Sequence, residues 1–344
     1  MAKAVKLADI AERLDVSVVT VSKALSGQRG VSEELRNEIK RIADELGYKQ
    51  PSSYRHEEEE KRKKSGYHLG VLVPDYYLGK YESFYSQMYR QFATKAGRDG
   101  NFCMLELVTA AQERRVDPPM MIKDNSVDGI VVIGRVTDDY LNMITSSKIP
   151  VVGLDFYTDD PKFDSIVSDS FGGGFRMTNY LFEKGFREIA YVGTLGTTPS
   201  ITDRYMGYLK SLSEHDVVPR KDWIIDDRDR ETMVLDADRY INLPKEMPEA
   251  FMCNSDQTAG CLINKLKAAG YRVPKDISVV AYDNFLPPGT CDVRITTYEV
   301  DMGEMAKQAL SILIRKITGE PYKTGTHVVG GRIVEKDSVG FKYR

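Results

Sequence analysis

Two short helices joined by a tight turn are the sequence feature that most constrains the fold of this chain. In residues 7–26, LADIAERLDVSVVTVSKALS, apolar side chains recur at helical spacing in two series. The two series are Leu7, Ile10, Ala11 and Leu14, followed by Val18, Val21 and Leu25. Ser17 directly precedes the second series and is a good N-cap. The spacing predicts either a helix-turn-helix, whose second helix lies in the major groove of DNA, or an ordinary pair of helices in a globular core.

A third helix follows and completes a small helical unit. Ser32 suits the N-cap position, and Glu33 and Glu34 suit the first turn of a helix. The apolar stripe of this helix consists of Leu35, Ile39, Ile42 and Leu46. Gly47 stands where a C-terminal cap belongs. We therefore expect three short helices that share one small core.

The charge of the chain does not by itself indicate nucleic-acid binding. With 48 Lys and Arg against 51 Asp and Glu, the formal net charge is −3. Even residues 1–50 contain nine basic and eight acidic side chains, which leaves a net charge of +1. A DNA-binding function therefore has to be argued from the arrangement of side chains on the second helix.

Composition argues against several other classes of protein. A hydrophobic content of 42% and a charged content of 29% are ordinary for a soluble globular protein. No apolar run approaches a membrane span and the N-terminus has no signal-peptide core, so we expect a cytoplasmic protein without a membrane partner. The cysteines lack metal-binding spacing, so we expect buried free thiols and neither a metal nor a cofactor. These cysteines are Cys103, Cys253, Cys261 and Cys291.

Residues 16–48, VSVVTVSKALSGQRGVSEELRNEIKRIADELGY, resemble the headpiece of lactose-repressor-type (LacI/GalR) bacterial regulators. The resemblance implies a helix-turn-helix DNA-binding headpiece over residues 1–50. It matches the family's base-reading positions to Val18 and Val19, and its basic reader to Lys23. Two valines favour contact with thymine methyl groups. The side chains expected to contact phosphate are Ser17, Thr20 and Ser22.

Residues 51–66 contain almost no apolar side chains and form a predicted hinge or linker. In the family this place holds a hinge helix, with an Ala-Arg pair followed by a leucine that wedges into the minor groove. Tyr54 and Arg55 occupy the place of that pair and are candidate DNA contacts, whereas Glu57 stands where the leucine is expected. Two interpretations stay open: a solvated linker with Glu-to-Lys pairs, or a hinge in which Tyr54 replaces the leucine.

From residue 69 onwards, short β-rich apolar runs alternate with helical segments. The predicted strands are 69–73, 102–107, 129–133, 150–154, 188–192, 223–225, 250–253 and 278–282. The clearest amphipathic segments between them are 171–185, 202–215 and 257–269. This alternation predicts parallel sheets covered by helices, arranged as one large sheet or as two smaller ones.

Residues 67–344 resemble the periplasmic-binding-protein-type core of the same family, in segments such as IPVVGLDF (149–156) and VPKDISVVAYDN (273–284). The resemblance implies two doubly wound α/β lobes with crossing strands and an effector cleft between them. It also implies that the core carries the dimer contacts. The implied boundaries are about 67–165 and 299–325 for lobe 1, and about 166–298 and 326–344 for lobe 2.

Ligands of open parallel sheets bind beyond the carboxyl ends of the strands. An aspartate with aromatic side chains nearby occurs at three predicted strand ends. These are Asp75-Tyr76-Tyr77, Asp155-Phe156-Tyr157 and Asp283-Asn284-Phe285. Carboxylates accept pairs of hydrogen bonds from hydroxyls, and flat rings stack on the apolar face of a sugar ring. The pattern therefore favours a sugar or a sugar derivative as the effector.

The resemblance assigns individual effector contacts. Arg204 matches the arginine that clamps the effector in the family, and Asp283 matches its effector-binding aspartate. Ser255 and Asp256 stand where the family has Asn-Asp, and the missing amide favours a non-standard effector. Residues 226–231 lie where other members place an aromatic side chain over the ligand. The candidate effector-binding residues are Tyr76, Phe84, Tyr85, Phe156, Arg204, Asp256 and Asp283.

These features predict a transcriptional repressor that binds double-stranded operator DNA as a homodimer and is controlled by a small-molecule effector. Two alternatives stay open. An enzyme on the same fold would use the glycines at 172–174 or 193–198 to cradle phosphate, although neither segment fits a known phosphate motif. A catabolite-control-type regulator would bind a protein co-repressor, and the row of Tyr81, Tyr85 and Tyr89 is compatible with that.

Overall fold

The computed structural model describes residues 5–25, 30–46, 48, 66–78, 83–230 and 232–342. The chain divides into two compact units, Met1–Gly66 and Tyr67–Arg344.

The first unit contains the three predicted helices. They are α1 (Leu7–Arg13), α2 (Val18–Leu25) and α3 (Glu33–Leu46). The helices bury a small shared core of Ile10, Ala11, Val21, Ala24, Ile39, Ile42 and Ala43. Ser17 acts as the predicted cap of α2, because its Oγ accepts a hydrogen bond of 3.0 Å from the backbone N–H of Thr20. Arg36 on α3 donates from Nη1 to the carbonyl of Ala24 at 2.9 Å, which ties the last turn of α2 to α3. The predicted cap Gly47 lies outside the described residues.

The second unit consists of two lobes, each built on a six-stranded sheet. The lobe 1 sheet has the order β11-β5-β4-β3-β1-β2 and is parallel throughout. Its strands are β1 (His68–Pro74), β2 (Phe102–Val108), β3 (Gly129–Ile133), β4 (Val151–Leu154), β5 (Ser165–Ser168) and β11 (Thr326–Val329). The lobe 2 sheet has the order β12-β10-β9-β8-β6-β7, with only β12 antiparallel among its named strands. Its strands are β6 (Ile189–Val192), β7 (Ile224–Ile225), β8 (Ala250–Cys253), β9 (Ser278–Asp283), β10 (Thr296–Glu299) and β12 (Arg332–Val334).

Helices cover the sheets, as expected for parallel strands joined by crossovers. In lobe 1 they are α4 (Asp75–Leu78), α5 (Phe84–Arg98), α6 (Ala110–Arg115), α7 (Met120–Lys123), α8 (Asp138–Thr145) and α13 (Met302–Thr318). In lobe 2 they are α9 (Ser170–Glu183), α10 (Pro199–Glu214), α11 (Ala237–Tyr240) and α12 (Asp256–Ala268), with a short 3₁₀ turn at Lys221–Trp223. The predicted fold class, a helical headpiece followed by two doubly wound α/β lobes, is therefore confirmed.

All eight predicted strands are present, and the structure selects two smaller sheets over one large sheet. The strands without a clear sequence signal are β5, β10, β11 and β12. Each has only three or four residues, and β11 and β12 are largely exposed. β5 (SIVS) and β10 (TTYE) are mostly buried but contain polar side chains, so neither they nor the exposed strands have the continuous apolar run that marks the predicted strands.

The predicted lobe boundaries need correction at two crossings. The chain leaves the lobe 1 sheet after Ser168 rather than after residue 165, because β5 is part of that sheet. It returns to lobe 2 after Val329 rather than after residue 325, because β11 pairs with β5 in parallel. Strands β5 and β11 lie at the same edge of the lobe 1 sheet, so both crossings occur later in the chain than the predicted boundaries.

The run of glycines at 172–174 serves the packing of α9 against α10. A Cβ atom on Gly174 would lie closer than 3.0 Å to the carbonyl oxygen of Arg204, and one on Gly207 would similarly approach the carbonyl oxygen of Phe171. Both obstacles are backbone atoms, which cannot move aside as the end of a flexible side chain can. The two helices can therefore approach this closely only with glycine at both positions. This contact sets the position of α10, which carries Arg204.

Candidate functional site

The exposed face of α2 presents the side chains predicted to read DNA. Val18 and Val19 are 46% and 61% exposed, which is high for β-branched apolar side chains. The Ser17 and Thr20 hydroxyls share a hydrogen bond of 2.8 Å beside them. The described members of the predicted set are all exposed or half-buried: Ser17, Val18, Val19, Thr20, Ser22 and Lys23. The face thus offers short side chains that can approach base edges and phosphates.

The predicted hinge contacts Tyr54 and Arg55 lie outside the described residues, as does Glu57. The choice between a solvated linker and a DNA-contacting hinge therefore stays a prediction.

A cavity of about 330 Å³ lies between the two lobes, at the carboxyl ends of the central strands. It brings together five of the seven predicted effector-binding residues: Tyr76, Phe84, Tyr85, Arg204 and Asp283. Lobe 1 also contributes Tyr77 and Asp155 to the walls. Lobe 2 also contributes Arg228, Asn254 and the segment 232–235. We call this space the effector cavity.

Aromatic rings form much of the lobe 1 wall. The centroid of the Tyr77 ring lies 4.6 Å from that of Tyr76 and 4.3 Å from that of Tyr85. Phe84 meets Tyr85 edge-on at a centroid distance of 5.4 Å. Such rings provide a flat apolar surface, and the tyrosine hydroxyls add polar groups at its edge. The wall suits a ligand that has an apolar face and hydroxyl groups.

Two carboxylates, one from each lobe, flank the effector cavity. Asp155 follows β4 and Asp283 ends β9, and both have left-handed backbone, with φ of 69° and 105°. Burial raises the pKa of Asp155 to about 6, although Arg204 and a hydrogen bond from Tyr85 act in the opposite direction. Burial raises the pKa of Asp283 to about 7; Arg204 opposes this shift and the charge of Asp155 adds to it. Near neutral pH these carboxyl groups can therefore both accept and donate hydrogen bonds.

Arg204 joins the elements of the lobe 2 wall. Its Nη1 donates to the carbonyl of Asn254 at 2.6 Å, and its Nη2 lies 3.4 Å from Oδ1 of Asp283. Its guanidinium stacks 3.7 Å above the Tyr282 ring. The side chain is almost fully buried, and its Nε has no hydrogen-bond partner in the described structure. Arg204 is therefore held in place with one donor left over.

A buried polar network holds Arg228 in the same wall. Nε and Nη2 of Arg228 donate to the two carboxylate oxygens of Asp227 at 3.0 and 2.8 Å. Asp227 in turn accepts hydrogen bonds from Thr194, Asn254 and Thr258. Burial alone would raise the pKa of Asp227, but Arg228 and the hydrogen bonds hold it below its ordinary value. Arg228 was not among the predicted site residues, although it lies in the polar run 226–231 that follows a predicted strand.

The structure does not bring two predicted effector-binding residues into the cavity. Phe156 is buried in the core of lobe 1, with its ring centroid 5.7 Å from that of Phe163. The left-handed backbone at Asp155 directs the aspartate, not the following phenylalanine, towards the cavity. Asp256 is buried beneath the lobe 2 wall, near the Thr297 side chain and the Phe285 backbone, and its Oδ1 has no hydrogen-bond partner in the described structure. Both predictions of direct ligand contact are therefore wrong for this structure.

The features behind the two alternative functions have other roles. The glycines at 172–174 pack α9 against α10, and the segment 193–198 leads into α10, where Thr198 caps the helix. Tyr85 lines the effector cavity and Tyr89 packs against the core, while Tyr81 lies outside the described residues. In the described residues these tyrosines do not form a common exposed surface for a protein partner.

A larger cavity of about 760 Å³ adjoins the effector cavity and shares Thr198 with it. In this second cavity the Tyr157 hydroxyl of lobe 1 donates to the Asp203 carboxylate of lobe 2, with O–O distances of 3.1 and 3.2 Å. This hydrogen bond links the lobes one residue before Arg204.

The described part of the chain offers no other obvious centre for chemistry. Among its side chains, no group of three or more His, Cys, Asp or Glu could hold a metal ion. All four cysteines are free; Cys253 is buried, whereas the other three are only half-buried, contrary to prediction. Every described helix is too short or too polar to cross a lipid bilayer.

Comparisons with known proteins agree with both halves of this description. Residues 6–51 match the family described as "Bacterial regulatory proteins, lacI family", and residues 178–339 match "Periplasmic binding protein-like domain". A relative from Vibrio cholerae, named HTH-type transcriptional repressor PurR, is 27% identical over 96% of this chain and 97% of its own length.

Two solved structures share the fold over nearly the whole chain. The transcriptional regulator CelR–cellobiose complex has a TM-score of 0.65 at 20% identity, covering 97% of this chain and 99% of that one. The lac repressor dimer bound to operator and the anti-inducer ONPF has a TM-score of 0.63 at 21% identity, covering 98% and 99%.

Proposed function

This chain belongs to the LacI/GalR family of bacterial transcriptional regulators, and we propose that it is a repressor controlled by a sugar or sugar derivative bound between its two lobes. Proteins of this family bind operator DNA and small-molecule effectors, and they are regulators rather than enzymes. The proposal adds three points to that membership: the chemistry of the effector, the residues that bind it, and a homodimer as the DNA-binding form. Operator binding requires a location in the cytoplasm.

The effector cavity is the feature that supports this proposal most strongly. Asp155 and Tyr85 come from lobe 1, and Arg204 and Asp283 come from lobe 2, so a bound ligand would contact both lobes at once. Carboxyl, guanidinium and phenol groups around a flat aromatic wall suit the hydroxyls and the apolar face of a sugar. Among structures of the same fold, one is a complex with cellobiose.

A ligand that contacts both lobes favours the closed arrangement and thereby changes the equilibrium between lobe arrangements. Because each headpiece precedes its core in the chain, we propose that this change alters the spacing of the two headpieces in the dimer. The coupling between effector and operator is reciprocal and typically amounts to about 1–3 kcal/mol. The direction of the coupling, release or recruitment, is left to experiment.

An exposed apolar strand supports the homodimer. Strand β2 lies at the edge of the lobe 1 sheet, and apolar side chains on both of its faces are exposed. These side chains are Phe102, Met104, Leu105 and Leu107, with exposed fractions between 37% and 61%. An uncovered apolar edge strand invites association, and one three-helix headpiece alone contacts too little DNA to be selective. We propose a second copy of this chain as the partner that covers β2.

The effector proposal can be tested by thermal unfolding of the full chain with neutral sugars, sugar phosphates and nucleosides. We expect one sugar or sugar derivative to raise the Tm in proportion to its concentration. The variant Arg204→Gln should lose this rise, whereas Arg220→Gln, an arginine outside the cavity lining, should keep it. A rise with nucleosides alone, or one that persists in Arg204→Gln, would contradict the proposal.

The dimer proposal can be tested by the molar mass in solution. Leu105→Glu places a charge on the exposed apolar strand and should shift the chain from dimer to monomer. Val218→Glu is the matched control, since Val218 is 83% exposed in a loop of lobe 2. A monomeric wild-type chain, or a dimer that tolerates Leu105→Glu, would argue against this surface.

In the headpiece, Lys23→Ala should weaken operator binding by about 1–3 kcal/mol in a gel-shift titration.

A further inference from the structure

Arg228 has one terminal nitrogen, Nη1, that makes no hydrogen bond to the described residues and could bind a ligand. Nε and Nη2 bind Asp227 in the two-pronged geometry of an arginine–carboxylate pair, and Nη2 also donates to Oδ1 of Asn254 at 3.2 Å. Nη1 has no hydrogen-bond partner among the described residues. Since Arg228 lines the effector cavity, its two remaining N–H groups are available there.

The support behind Arg228 is buried and fully hydrogen-bonded. The Asp227 carboxylate is inaccessible to solvent. It accepts 3.0 Å hydrogen bonds from both the backbone N–H and the hydroxyl of Thr194, a 2.7 Å bond from Asn254 and a 2.6 Å bond from Thr258. A guanidinium anchored in this way loses little conformational freedom when it binds a ligand.

A second guanidinium lies close enough to interact with the first. Burial lowers the pKa of Arg228 and the charge of Arg204 adds to this, but Asp227 outweighs both, so the pKa of Arg228 is raised. Arg204 and Arg228 line the same cavity, and both guanidinium groups bind Asn254, through its backbone carbonyl and its side-chain oxygen respectively. The charged or titratable cavity-lining groups that interact with Arg228 or Arg204 are Tyr77, Tyr85 and Asp155 of lobe 1 and Asp283 of lobe 2.

We propose that the effector carries an anionic group, a carboxylate or a phosphate, which Arg228 binds through Nη1 with Arg204 beside it. This inference rests on the proposed function and narrows its ligand to an acidic sugar. A charge-assisted hydrogen bond to an anchored guanidinium is stronger than one to a neutral hydroxyl. The hydroxyl groups of the same ligand would lie against Asp155 and Asp283.

The two cavity carboxylates do not prevent the binding of an anion. Because the pKa of Asp155 is about 6 and that of Asp283 is about 7, a proton can neutralise either group near neutral pH. Arg204 also offsets part of the negative charge of these carboxylates, since it interacts with both Asp155 and Asp283.

The test compares matched neutral and anionic probes by titration calorimetry on the full chain. The neutral probes are glucose and galactose. The anionic probes are gluconate, galacturonate and glucose 6-phosphate, with inorganic phosphate as the free anion. We expect at least one anionic sugar to bind about tenfold more tightly than its neutral parent. The carboxylate and phosphate probes together show which anion the site prefers.

Arg228→Gln should reduce the ratio of the affinities for the anionic sugar and its neutral parent to about one. Arg230→Gln, on the same segment but with a 61% exposed side chain, should leave this ratio unchanged. If Arg228→Gln fails to fold, Arg228→Lys keeps the charge but loses the two-pronged geometry, and should lose most of the preference. The proposal is overturned if neutral sugars bind the wild type as tightly as the acids, or if the preference survives in Arg228→Gln. Binding of neutral sugars that depends on Arg204 would leave the proposed function standing, whereas failure of every probe to bind would reject both.

Discussion

The two walls of the effector cavity differ in chemistry and in how firmly they are held. The lobe 1 wall is mainly a set of aromatic rings in contact with one another, with one carboxylate, Asp155. The lobe 2 wall carries Arg204 and Arg228, which are fixed by buried partners and by the close crossing of α9 and α10. We therefore expect lobe 2 to be the more rigid wall and to bind the anionic group of the ligand through its arginines. Lobe 1 should contribute mainly aromatic contact area, together with Asp155.

The largest effect should come from disturbing the crossing that fixes lobe 2. Gly207→Ala places a methyl group against the backbone of α9 and should lower the free energy of unfolding by about 2–3 kcal/mol. Gly97→Ala, in helix α5 of lobe 1, has open space around the new methyl group and should raise stability by about 0.5–1 kcal/mol. Urea unfolding of both variants measures the contrast. Equal effects of the two substitutions would show that lobe 2 is no more tightly constrained than lobe 1.

A slightly smaller effect is expected from the carboxylates that face each other across the cavity. The pKa values of Asp155 and Asp283 are raised in the folded chain from 3.8 to about 6 and about 7. The folded state therefore binds protons more tightly than the unfolded chain. The resulting stabilisation is complete below pH 3.8 and is lost as the pH rises through 6 and 7.

From pH 6 to pH 8, these two groups should lower the free energy of unfolding by about 2 kcal/mol. The double variant Asp155→Asn/Asp283→Asn should not show this decrease of the free energy of unfolding with pH, whatever its stability at any single pH. Urea unfolding at several pH values provides the measurement. If the free energy of unfolding changes equally with pH in the wild type and the variant, the two carboxyl groups do not titrate in this range.

The smallest effect should come from the hydrogen bond between the lobes. Tyr157→Phe removes the donor to Asp203 and should weaken binding of the best ligand by about 1 kcal/mol, because the closed arrangement loses one contact. Tyr205→Phe is the control, since it removes a hydroxyl from the same helix as Asp203. Calorimetric titration checks both variants. If Tyr157→Phe and Tyr205→Phe weaken ligand binding equally, the hydrogen bond from Tyr157 does not stabilise the closed arrangement.

Much of the fold could be predicted because its main elements leave local patterns. The headpiece helices follow from apolar spacing and from the caps Ser17 and Ser32, and the eight predicted strands follow from continuous apolar runs. Strands such as β11 could not be predicted in this way, because their stability comes from pairing with a distant edge rather than from their own side chains.

The cavity was predictable in its location but not in all its members. Residues at the ends of parallel strands converge, which accounts for Tyr76 and Asp283, whereas Arg204 and Tyr85 are expected there because of the family resemblance; all four line the cavity. Phe156 failed because the left-handed backbone at Asp155 decides which of two neighbouring side chains enters the cavity. The role of Arg228 depends on partners from other strands, which no local pattern reveals.

The most direct test of the whole account is the affinity of the full chain for duplexes selected from a random pool at low ionic strength, measured with and without the best ligand. We expect a two-fold symmetric site to be enriched, bound by a dimer, with an affinity that changes by about tenfold when the ligand is added. The account would be contradicted if no duplex is enriched, or if the affinity for the enriched duplex does not change with any ligand that binds the cavity.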